Sequence, residues 1–112
     1  MREVTVTEVA DVLDEAASLY ESGTYGWVQG KYSYDPRLGE APSRCLLGIL
    51  DVAAIKVGGQ MAVYSMAHNM IIDTLTTEIG GSIPAWNDTP GRTLDEVIEI
   101  LKSTSKDLRN SQ

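Results

Sequence analysis

The run Cys45-Leu46-Leu47-Gly48-Ile49-Leu50-Asp51-Val52-Ala53-Ala54-Ile55 is apolar except at Gly48 and Asp51. Wound as a helix it is apolar on nearly every face, so it has to lie at the centre of the molecule or in an interface between copies. Its β-branched residues also suit a buried strand, but its length and the Ala53-Ala54 pair favour helix. The rest of the chain is short, 112 residues in all, which is enough for one domain over 1–112. Phe is absent, so aliphatic side chains have to fill the interior.

Around that segment the periodicity predicts three more helices. Thr5-Val6-Thr7-Glu8 reads as a capping box, with Val4 and Val9 placed as a hydrophobic staple. Val6, Val9, Leu13, Ala16, Ala17 and Tyr20 then line one face of helix 1, with Glu8, Asp11, Glu15, Ser18 and Ser22 opposite, and Gly23 stops it. Pro42-Ser43 opens helix 2, and Gly58-Gly59 closes it. Met61, Tyr64, His68, Ile71, Ile72, Leu75 and Ile79 mark helix 3, ended by Gly80-Gly81. A short connection over 82–92 leads to a second capping box, Thr93-Leu94-Asp95-Glu96, and helix 4 continues through Leu94, Val97, Ile98, Leu101 and Leu108. Residues 104–112 are expected to fray.

Between helices 1 and 2, residues 23–42 carry Gly23, Gly26, Gly30, Pro36, Gly39 and Pro42, the punctuation of a loop. Tyr25, Trp27, Tyr32 and Tyr34 also fall there, which argues for a loop packed on the domain. The expected fold is therefore all-α: a small four-helix domain with a long aromatic-rich loop between helices 1 and 2. Helix 2 is apolar on more faces than such a monomer covers, so a homodimer through helix 2 is expected.

Sixteen acids against nine bases give a net charge of −7, which argues against a binder of the nucleic-acid backbone, so no nucleic-acid partner is expected. Glu3, Glu8, Asp11, Asp14, Glu15 and Glu21 crowd the first 22 residues against Arg2 alone, a face that suits a basic partner protein. With one cysteine, Cys45, and one histidine, His68, neither a disulfide nor a zinc site can be assembled, and no cofactor is implied. The N-terminus has no apolar leader and no apolar stretch approaches membrane-spanning length, so the expected location is cytoplasmic, with no membrane partner.

Two segments hold the polar groups that could form a site. In Ser82-Ile83-Pro84-Ala85-Trp86-Asn87-Asp88-Thr89-Pro90-Gly91-Arg92-Thr93, Pro90-Gly91 suits the centre of a type II turn. Arg92 and the helix start at Thr93 could hold a small anionic ligand, with Trp86 as a stacking wall. Gly26-Trp27-Val28-Gln29-Gly30 could fold back so that Trp27 makes a second wall, with Gln29, Asn87, Asp88 and Arg92 as converging polar groups. The structural reading comes first for each segment, a stiff connector whose Trp86 plugs the core and an anchor for the long loop, with the ligand site second. His68 on the helix 3 stripe is read as a satisfied boundary histidine, or as a general acid or base if a carboxylate lies near. Cys45 is read as buried and inert.

The strings Trp27-Val28-Gln29-Gly30, Cys45-Leu46-Leu47-Gly48 and Ser82 to Thr93, in that order, resemble a family of small proteins of unknown function from actinobacteria and their bacteriophages. The resemblance covers roughly residues 6–103. It implies a bacterial or phage-encoded cytoplasmic protein and no particular activity. The leading functional expectation is a non-enzymatic binding or regulatory module, phage-linked, acting through a protein partner. The alternative is a nucleotide-like small-ligand binder using Trp27, Gln29, Trp86, Asn87, Asp88, Arg92 and Thr93. A small enzyme using His68 comes third.

Overall fold

The computed structural model describes residues 5–36, 39–59 and 66–111. Thr5 caps α1 (Val6–Glu21) by accepting the Glu8 amide at 3.1 Å, as its sequence requires. Val4, the other half of the expected staple, lies outside the described residues. One face of α1 is buried from Val9 through Leu13 and Ala16 to Tyr20. It packs along α5 (Leu94–Asn110) and across α2 (Leu46–Gly58), with α3 (Met66–Ile79) closing the core through Ile71 and Leu75.

The molecule is mostly helical but not purely so. Between α1 and α2 three two-residue strands, β1 (Gly26–Trp27), β2 (Ser33–Tyr34) and β3 (Ser43–Arg44), form a sheet of order β1-β3-β2. β1 runs parallel to β3 and β2 antiparallel to it. This corrects the all-α expectation. Strands so short carry no readable alternation, and here the pairing joins backbones seventeen residues apart, Gly26 with Ser43, and eleven and nine apart, Ser33 with Arg44 and Tyr34 with Ser43. It also corrects the start of helix 2. Ser43-Arg44 is strand, and the helix begins at Leu46 with Cys45 as N-cap, its Sγ accepting the Gly48 amide at 3.4 Å. Tyr20 ties α1 to this sheet by donating its hydroxyl to the Arg44 carbonyl at 2.8 Å. Burial, with Cys45 nearby, raises the pKa of that phenol.

Two further expectations change. The 82–92 connection contains a short helix, α4 (Ile83–Asn87), capped by Ser82, ahead of the expected turn, in which Arg92 donates to the Thr89 carbonyl and Gly91 has φ +85°. The stretch expected to fray is helical to Asn110, because Ser105 is buried with its hydroxyl on the Ala10 carbonyl and Arg109 reaches Asp11 and Asp14. α2 packs against α1, α3, α4 and β3, which bury Leu46, Ile49, Leu50, Ala53 and Ala54, while Leu47, Val52 and Ile55 are half-buried and Val57 is exposed. Met61 and Tyr64 of the expected helix 3 stripe lie outside the described residues.

Gly48 shows why α2 carries a glycine in its first turn. A Cβ there would stand 2.9 Å from the Tyr32 carbonyl oxygen, a backbone atom held by the Cys45 amide. Alanine in a helix ordinarily gains about 1 kcal/mol over glycine, but overpacking against a fixed backbone costs ~1–3 kcal/mol. Gly48→Ala is therefore expected to destabilise the protein, by a net ~1 kcal/mol. Thr93→Ala, which removes the cap of α5, should cost about 1 kcal/mol as well. Denaturant midpoints measure both, and a Gly48→Ala protein more stable than the parent contradicts the close approach.

Candidate functional site

The two polar segments singled out in the sequence do meet, and Asn87 joins them. It is the last residue of α4 and is fully buried, 0% exposed. A carboxamide has two acceptor positions and two donors. Oδ1 accepts the Trp27 indole N–H at 2.6 Å and the Leu46 amide at 2.9 Å. Nδ2 donates to the Val28 carbonyl and to Asp88 Oδ1, both at 3.0 Å. Because indole and amide N–H groups only donate, the orientation of the carboxamide follows from its partners. The main chain of α4 is gripped too, with Gln29 Nε2 donating to the carbonyls of Asn87 and Thr89 at 3.0 and 3.1 Å. The Gly30 amide donates to Asp88 Oδ1 at 2.8 Å from a backbone with φ +79°, a conformation that favours glycine.

Asp88 is exposed, and the Gly30 amide followed by the Asn87 side chain holds its carboxyl below the usual carboxylate range. Such a group contributes stability that is present above that range and is lost as pH falls through its lowered value.

Arg92 closes the other side of α4. Its guanidinium carbon lies 3.8 Å from the centre of the Trp86 ring, its Nε donates to the Trp86 carbonyl at 3.1 Å, and an Nη reaches Glu96 at 3.2 Å. Thr93 and Glu96 form the expected capping box, which holds the Glu96 carboxyl below its ordinary value chiefly through the Thr93 amide. Trp27, Gln29, Asn87 and Asp88 thus belong to one cluster, and Trp86, Arg92 and Thr93 to an adjoining one. An anion at Arg92 and Thr93 would compete with Glu96 for both.

Two cavities flank α4, and in neither do Trp27 and Trp86 face each other. A cleft of 210 Å³ lies over Gly30, Lys31, Tyr32, Cys45, Leu47, Pro84, Asn87 and Asp88. A groove of 460 Å³ runs from Trp86 along α5. Cys45 is buried at the floor of the cleft.

Sequence reasoning missed a second polar cluster. His68 Nε2 lies 2.8 Å from Asp51 Oδ1, and the Tyr32 hydroxyl donates to Asp51 Oδ2 at 2.5 Å. Burial, then the hydrogen bond to Asp51, raises the pKa of the Tyr32 phenol. The signal was Asp51 itself, the one acid in an apolar helix, since a half-buried carboxylate calls for partners. No group of three or more metal-ligating residues is found among the described residues, and none of their helices is long and apolar enough to cross a membrane.

Removing the Asn87 carboxamide strands an indole N–H, an amide N–H and a carbonyl, each worth ~1–3 kcal/mol when buried without a partner. Asn87→Ala should therefore cost about 3 kcal/mol or more by denaturant titration. Asn87→Asp keeps both acceptor contacts but sets a carboxylate beside Asp88, so its pKa is raised in the folded state. Relative to the parent at each pH, it should recover part of its loss as acid protonates the pair, while Asn87→Ala recovers nothing. Variants within 1 kcal/mol of the parent would show that the hub carries little.

No curated protein and no solved structure matches the chain. A family model does match it, over residues 4–107, and so takes in all three strings that meet around α4. The chain belongs to DUF6197, a family of unknown function.

Proposed function

We propose that this protein is a non-enzymatic binding or regulatory module that acts through a protein partner. The observation that carries this reading is the closure of the hub: the groups a small ligand would need are already bonded to one another. Trp27, Gln29, Asn87 and Asp88 hold each other, and Arg92 is held between Trp86 and Glu96. The adjoining cleft, at 210 Å³, is below the ~300 Å³ at which small-molecule pockets begin, and suits a single side chain of a partner. Tyr32, which lines the cleft, and Tyr34 of β2 stand 48% and 51% exposed, and exposed aromatic residues are typical of protein interfaces.

The nucleotide-like alternative needs an indole pair facing one cavity and a free Arg92, and the enzyme alternative needs a substrate within reach of His68. The Asp51–His68 contact orients the imidazole and is the one observation favouring an enzyme. The setting in this proposal, the cytoplasm of an actinobacterial host in a phage-linked process, comes from the sequence resemblance.

A photo-crosslinking amino acid placed at Tyr34, with one at Lys106 as the distant control, tests the reading in native extract. A discrete protein adduct at 34 and not at 106, followed by rebinding of that purified protein, is the expected result. A nucleotide retained by the purified protein and released on denaturation, with no adduct at 34, would overturn it.

A further inference from the structure

Deepening the partner reading, on which it rests, we infer that the groove between Trp86 and the first half of α5 docks a basic segment of the partner, in which Lys or Arg residues flank one aliphatic side chain. The groove is lined by Trp86, Asp95, Glu96, Glu99, Ile100 and Ser103. Its floor is apolar, Trp86 and Ile100, and its walls are carboxylates. Residues 95 and 103 are eight apart on one helix, about 12 Å, which accommodates three or four residues of extended chain. The 460 Å³ volume holds a few side chains.

Charge selects the occupant. On α1 four of the five acids are matched within the chain: Asp11 and Asp14 by Arg109, Glu15 by Lys56 and Glu21 by Lys102. Along the groove the pattern is different. Glu96 turns to Arg92, and Lys102, the base nearest Glu99 in sequence, turns to Glu21. Among the described residues no base forms an ion pair with Asp95 or Glu99. Lys102 lies within electrostatic range of Glu99 but bonds Glu21, so neither carboxylate has a salt-bridge partner within the described residues, and a partner's cations supply one. Arg92 stacks on Trp86 without lining the groove, so the indole meets the groove with surface the stack leaves open, and a second cation can use it. An aliphatic side chain between the cations would cover Ile100. A free polyamine meets the charge and leaves that apolar floor uncovered, so it is the weaker occupant.

The test titrates the full chain at low salt with a synthetic peptide carrying Lys-Arg pairs on both sides of one Leu, read by amide and indole NMR shifts. Shifts at the Trp86 indole and over residues 95–103 are expected. Affinity should fall about fivefold in the Asp95→Asn, Glu99→Gln double variant and stay at the parent value in Asp107→Asn. A peptide with Gly in place of Leu, and spermidine, should both bind more weakly. Unchanged affinity in the double variant, shifts elsewhere, or spermidine binding as tightly as the peptide would overturn the inference. The two failures are distinguishable. A protein captured at position 34 equally well from the double variant overturns the groove and leaves the partner reading standing, whereas no captured protein removes the reading beneath it.

Discussion

The buried carboxamide of Asn87 uses both acceptor positions and both donors: two bonds go to the Trp27-Val28 segment, one to the start of α2, and one fixes its own turn. Trp27 and Val28 lie sixty and fifty-nine residues before it and Leu46 forty-one. No hydrophobic contact could impose that arrangement, because apolar packing has no direction. Four hydrogen bonds from one planar group do have direction, and they set how β1, the start of α2 and the end of α4 approach one another. Glutamine carries the same carboxamide only one methylene further out, aspartate cannot donate, and leucine would leave three buried groups without partners. The order of the surrounding parts follows. Gly48 lets the Tyr32 backbone lie on α2, Gly30 turns its amide to Asp88, and Arg92 binds the far side of α4 to the start of α5.

Local signals account for what was legible in the sequence. The Thr5 cap of α1, the capping box of α5 at Thr93 and Glu96, the Pro90-Gly91 turn and the central place of the 45–55 segment all rest on interactions within a few residues, or on periodicity. What was illegible depends on distant partners. Strands of two residues have no period to read, so Ser43-Arg44 looked like the opening of a helix. The tail beyond 104 looked loose because its anchors, Ala10, Asp11 and Asp14, are about ninety-five residues away in sequence. The polar groups of the candidate site were identified in the sequence by their strings. That Asn87, and neither tryptophan, would stand at the centre was not, since geometry alone decides which polar side chain is buried.

Net charge gave a similarly incomplete account. The acids gathered at the start of the chain suggested a face awaiting a basic partner, yet four of them are paired by bases from α2 and α5. Exposed pairs of this kind contribute little each, but they decide which acidic surface stays unmatched. The excess negative charge then lies partly beside Trp86, on the first turns of α5, next to the hub that makes this end of the molecule rigid.

The hub makes a sharp demand on one proton. Leu46 is the first residue of α2, and an amide at that position has no acceptor within its own helix. Here its acceptor is Asn87 Oδ1, buried from solvent. Native-state hydrogen exchange resolved by residue should find the Leu46 amide as slow as that of Leu50, one turn further in, both opening only with global unfolding. A Leu46 amide that exchanges freely while Leu50 and Leu101 stay protected would mean that the Asn87 contact opens on its own, and that the fold does not depend on it.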